Sequence, residues 1–251
     1  MARFGNLPLR YRPIRRLSAL YAGLVLYGAG ISAMVSARLG LDPWDVFHQG
    51  VAKVTGVRLG WILIATGAAV LLAWIPLRQR PGLGTVSNVV VIGLAANLVS
   101  DVLPDPHGLA ARWAYGLGAV VTTGIATGMY IGARYGPGPR DGLMTGIVTR
   151  YAGRWFASVR VVRTSIELSV LAVGFVLGGS VGWITLVYAV SIGPLAHLFI
   201  PIFTVPDPPA PTGALAPTGA LAPAGALAPA GGAVAAHPEA VPDPAPALTT
   251  S

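Results

Sequence analysis

The chain has 251 residues, of which 54% are hydrophobic and only 10% charged, with a mean hydropathy of +0.67. A soluble domain carries about 25% charged residues, so this chain has too little polar surface to live in water. Its formal net charge of +8 is almost all arginine, Lys53 being the single lysine, and the absence of cysteine excludes disulfides, a thiolate nucleophile and Cys-ligated metal.

Basic residues in such a chain set topology and meet anionic headgroups, so the expected partner is the lipid bilayer and no nucleic acid is expected. Residues 1–16 form a basic cytoplasmic tail with five arginines. The apolar run 17–37 is longer than the 7–15 residues of a signal-peptide core, so it reads as an uncleaved first span. A span needs about 20 apolar residues to cross about 30 Å of hydrocarbon. Six segments qualify: 17–37, 59–77, 85–103, 113–133, 157–177 and 182–203. Two shorter segments, 42–56 and 139–153, lie after the first and fourth spans and read as re-entrant or interfacial amphipathic helices. Val46, Gly50, Val51 and Val54 share a face of the first; Leu143, Met144, Ile147, Val148 and Tyr151 share a face of the second. Each opens on a proline, tolerated where a helix begins because its missing N–H has no partner to lose.

The chain repeats itself. Ala37-Arg38-Leu39-Gly40-Leu41-Asp42-Pro43-Trp44-Asp45 returns as Ala133-Arg134-Tyr135-Gly136-Pro137-Gly138-Pro139-Arg140-Asp141, with Gly50 recurring as Gly146. Later, Gly84-Thr85, Ile92-Gly93 and Asn97 match Thr185, Ile192-Gly193 and His197 in order. The expected fold is an all-α polytopic bundle of about six spans in two inverted repeats, about 17–104 and 112–204, inside a membrane domain 17–204. Arginine and lysine fall five in the N-terminal tail, then three, two, one and six in successive loops, placing 13 on the side of the N-terminus against four opposite. Both termini are therefore expected in the cytoplasm. Charge alone also allows eight spans; length favours six, because about 14 residues of helix rise only about 21 Å. From Val205 the chain turns to Pro/Ala/Gly repeats headed by Pro211, Pro217, Pro223 and Pro229, a disordered tail over 205–251 by composition.

Broken helices at matching places in both halves mark binding sites in transport folds, so Trp44, Asp45, Arg140 and Asp141 are candidate substrate-binding residues. First-turn capping explains the same aspartates. Arg163 and Glu167, four apart in the fifth span, are either a structural ion pair or a proton-coupling pair. Asn97 and His197 are further substrate-site candidates, or hydrogen-bond partners across helices. Trp61, Trp74, Trp113 and Trp155 lie near span ends and read as interfacial anchors. No enzyme signature appears: there is no His-Glu-x-x-His, Gly-x-Ser-x-Gly or Walker lysine, and no cofactor or metal site is expected.

The motifs Leu41-Asp42-Pro43-Trp44-Asp45, Gly82-Leu83-Gly84-Thr85, Gly136-Pro137-Gly138-Pro139-Arg140-Asp141-Gly142-Leu143-Met144, Val162-Arg163-Thr164-Ser165-Ile166-Glu167 and Gly178-Gly179…Gly193-Pro194 occur in that order. Over about 15–203 the chain resembles the YczE/YyaS/YitT family of bacterial membrane proteins. It departs at Gly182-Trp183-Ile184-Thr185, where that family has Gly-x-Gly-Thr, so this turn is expected to be less tight than the one at Gly84-Thr85. The resemblance implies a multi-pass protein of the bacterial cytoplasmic membrane, with no established substrate. The leading functional expectation is a secondary transporter or permease for a small solute, acting at the repeat interface; the alternative is a non-transporting scaffold or regulatory partner of another complex.

Overall fold

A computed structural model describes residue 8 and residues 11–207; the predicted C-terminal tail from residue 208 on and most of the basic N-terminal tail lie outside the described residues. The described chain is all helical: α1 (Pro13–Ala37), α2 (Pro43–Thr55), α3 (Leu59–Trp74), α4 (Leu83–Val102), α5 (Gly108–Gly132), α6 (Pro139–Arg150), α7 (Val159–Val176) and α8 (Trp183–Phe203). The two short elements expected after the first and fourth spans are α2 and α6, each with proline in its first turn.

Among the described residues, four helices are long and apolar enough to cross a membrane: α1, α4, α5 and α8. A fifth crossing is possible if α2 and α3, bent by 116° at their junction, count as one broken span. The six expected spans thus include two that do not qualify alone. At 16 residues, α3 is too short for the hydrocarbon thickness. α7 carries Arg160, Arg163 and Glu167, which lower its hydropathy.

At the centre α1 lies against α5, with α4 packed on α1 and α8 on α5. Small residues let these backbones meet: Gly23 of α1 faces Ala126 and Tyr130, Gly28 faces Ile92 and Ala96, and Gly128 of α5 faces Phe199. One buried cluster joins Leu20, Leu24, Tyr27 and Ile31 to Ile92, Ala126 and Tyr130. A second joins Met34, Leu41 and Val46 to Val120, Ile184 and Tyr188. Around this core, Leu72, Leu98, Val102, Val190 and Ile202 are more than half exposed, an apolar outer surface suited to lipid tails.

Three local expectations are corrected. The buried side of α2 is Trp44, Asp45, Val46, His48 and Gly50, while Val54 is exposed, so tertiary contact selects a more polar face than the apolar pattern marked. Trp74 is no interfacial anchor: it is 2% exposed and its Nε1 donates to the Pro139 carbonyl at 3.1 Å. The turn before α8 is as tight as the one before α4. Gly82 N donates to Thr85 Oγ1 at 3.2 Å and Gly182 N to Thr185 Oγ1 at 3.1 Å. Gly84 N meets the Tyr135 carbonyl and Ile184 N the Leu39 carbonyl, both at 3.0 Å. Ile184 fits because it packs on Gly116, where a Cβ would strike it.

Arg16, read from sequence as part of a topogenic tail, is fully buried. Its Nε donates to the Ala133 carbonyl at 2.9 Å and its Nη2 to the Arg134 carbonyl at 3.0 Å. A guanidinium thus satisfies carbonyls left over at the C-terminal end of α5, where the helix dipole also favours a cation.

Candidate functional site

Within the described residues a cavity of about 310 Å³ opens where the entries of α2 and α6 meet α5, α7 and α8. Its wall brings together Trp44, Arg140, Asp141, Arg163, Glu167 and His197, six of the eight residues singled out from the sequence. The other two lie elsewhere. Asp45 sits behind the wall, 2% exposed, its Oδ1 3.0 Å from His48 Nδ1. Its side chain points inward because the α2 N-cap is Asp42, whose Oδ1 accepts from the Asp45 amide at 2.8 Å. Asn97 is farther off: its Oδ1 accepts from the Gly60 amide at 3.0 Å, tying α4 to the start of α3. It matches His197 in sequence, but on α4 that position faces a neighbouring helix, whereas on α8 it faces the cavity.

Arg140, one residue into α6, organises the wall. Its Nη2 donates to the Tyr27 hydroxyl at 2.7 Å and its Nη1 lies 3.8 Å from Asp42 Oδ2. The guanidinium carbon lies 5.6 Å from the Trp44 ring centre and 6.0 Å from that of Tyr27, a cation held over aromatic faces. Asp141 accepts from the Tyr130 hydroxyl at 3.3 Å through Oδ2. Arg163 Nε donates to Glu167 Oε1 at 2.9 Å, with side chains 48% and 37% exposed. The wall therefore carries both signs of charge among aromatic rings, able to hold and orient a small polar solute.

Tyr27, Trp44 and Arg140 also bound a second, smaller cavity of about 50 Å³. It runs to the other side, among α1, α2, α3 and α4, and is lined by Ile31, His48, Leu63, Thr66, Gly67 and Asn88. The two cavities share a partition made of the α2 and α6 entries and Tyr27.

The sequence reading missed Asp42, Tyr27, Tyr130 and Tyr188, all in the wall of the larger cavity. Asp42 had a usable signal, since an Asp-Pro step opening a helix marks an N-cap. The tyrosines had none, because an aromatic residue inside an apolar helix looks the same whether it packs or lines a cavity. Among the described residues no three His, Asp or Glu side chains gather as a metal ion would need.

The chain is similar to uncharacterized bacterial proteins. The chain is 39% identical over 188 residues to an uncharacterized protein of Haemophilus influenzae, covering 75% of this chain and 84% of the relative. It is 30% identical over 191 residues to the uncharacterized membrane protein YczE of Bacillus subtilis, covering 75% and 86%. The uncharacterized protein YyaS of the same organism is 25% identical over 185 residues, covering 72% and 90%. No solved structure gives a significant match. A family of unknown function, DUF6198, matches residues 14–201, from the start of α1 almost to the end of α8. With that match over its helical body, the chain belongs to the DUF6198 family and is an all-helical membrane protein.

Proposed function

We propose that this protein is a secondary transporter for a small solute, working by alternating access in the bacterial cytoplasmic membrane with both termini inside. In this reading α1–α4 and α5–α8 are two copies of one unit in inverted orientation, and the chain is not an enzyme. The observation that carries it is the relation between the two cavities. Positions lining the larger one correspond to positions lining the smaller, 96 residues earlier up to the short helices and 100 beyond them, though the residue types differ. Thr127 answers Ile31, Met144 answers His48, Arg163 answers Leu63, Ile166 answers Thr66, Glu167 answers Gly67 and Tyr188 answers Asn88. Trp44 and Arg140, themselves 96 apart, line both.

A duplicated fold with one wide and one narrow cavity on opposite sides of a shared partition is what alternating access requires. If the halves exchange conformations, the narrow cavity widens as the wide one closes, and a solute held at the partition changes sides. The absence of cysteine makes the test direct. Thr66→Cys and Ile166→Cys, made singly and reconstituted, place a labelling site in each cavity. Transport of this kind makes solute shift their maleimide reactivity in opposite directions. Labelling of both that no solute in a broad panel changes, together with no uptake into liposomes, overturns the proposal.

A further inference from the structure

The charges facing the larger cavity pair off unevenly. Asp42 stands against Arg140 and Glu167 against Arg163. Asp141 is left with the Tyr130 hydroxyl; among the described residues no arginine or lysine nitrogen lies within 4.0 Å of its carboxylate. Two arginines therefore face three carboxylates in that wall. The helix ends do not reverse that sign, because a dipole end amounts to about half a charge and α2 already has Asp42 and Asp45 at its start. The rings point the same way. Trp44 and Tyr27 already receive the Arg140 guanidinium, while Tyr130 and Tyr188 stand in the same wall. Aromatic faces beside a carboxylate that no cation contacts suit a cation with a carbon frame, and about 310 Å³ is room for a small organic molecule. An anion in the same place would have to lie beside Asp141.

We infer that the cavity binds a small organic monocation, its ammonium head against the Asp141 carboxylate and its carbon frame against Tyr130 and Tyr188. This rests on the transport reading only for what happens after binding. The test uses purified full-length protein in detergent, titrated with phenethylammonium and tetramethylammonium chloride, and separately with sodium acetate and sodium phosphate. The organic cations raise the unfolding temperature saturably and the sodium salts do not. Asp141→Asn, whose amide retains a partner for the Tyr130 hydroxyl, weakens the apparent cation affinity at least about tenfold, the loss of a charge-assisted contact. Asn97→Ala leaves it unchanged. Stabilisation by acetate or phosphate but not by the cations overturns the inference, and so does undiminished cation affinity in Asp141→Asn. Should that variant not fold, the comparison of cations with anions on the natural chain still decides. Uptake of the same cations into liposomes separates the two readings. Asp141-dependent binding, with no uptake and no solute-dependent change in labelling of the Thr66→Cys and Ile166→Cys chains, supports this site and overturns transport; uptake of some other solute with no cation binding overturns this site and leaves transport standing.

Discussion

Two helix seams hold the short elements in place, and they are built in opposite ways. Where α2 meets α7, glycine faces backbone: a Cβ on Gly174 would collide with Val46 and Phe47, and one on Gly50 would meet the Gly174 carbonyl. Polar latches close this seam, with Gln49 Oε1 accepting from the Ser180 amide and Lys53 Nζ donating to the Gly178 carbonyl, both at 2.7 Å. Where α6 meets α3, a large side chain fills the space instead. Trp74 lies across Gly142, so a Cβ there would strike its indole, and the ring nitrogen is tied to Pro139. The positions correspond, since Trp74 stands where Gly174 does and Gly142 where Val46 does. Similar elements thus meet at two spacings, one set by backbone contact and the other by an indole wedge. Matching sequence blocks need not give matching packing, and that inequality accompanies one wide and one narrow cavity.

The comparison can be broken most sharply at the wedge. Trp74→Ala removes a fully buried indole and leaves the Pro139 carbonyl without its donor; a loss of about 3–5 kcal/mol is expected, read as a lower unfolding temperature in detergent. An effect below about 1 kcal/mol would show that the indole fills no tight space. At the other seam Gly174→Leu should cost about 2–3 kcal/mol by overpacking. Gly174→Ala, also clashing but smaller, should fall between it and the natural chain. Away from both seams, Asn97→Leu loses the hydrogen bond to Gly60 and should destabilise by about 1 kcal/mol. The smallest change is expected from Glu167→Gln, within about 0.5 kcal/mol of the natural stability, because its pair with Arg163 is more than one-third exposed. A solute assay on this last variant sharpens the contrast, since a residue that matters little to folding can still matter to what the cavity holds.

Particular residues show how far the sequence could be read. The short helices were legible because proline opens them and glycine punctuates their surroundings, signals that act within a few residues. Four wall residues of the larger cavity, Arg140, Asp141, Arg163 and Glu167, were legible for a related reason: charge inside an apolar chain is costly and so conspicuous. Asp45 and Asp141 looked equivalent, yet Asp45 turns inward to His48 and Asp141 toward the cavity and Tyr130, because only α2 has an aspartate as its N-cap. Asn97 and His197 looked equivalent too, and parted because α4 presents that position to α3.

By itself the amino-acid order determined a helical chain for lipid and the places of its two short proline-led helices, because hydropathy, proline and glycine act locally along the backbone. Tertiary structure alone decided that Arg16 is buried against the end of α5, that Trp74 is a wedge, and that three tyrosines gather around Arg140 and Asp141. Those outcomes depend on which helix faces which, and on whether a glycine or an indole occupies the place where they meet.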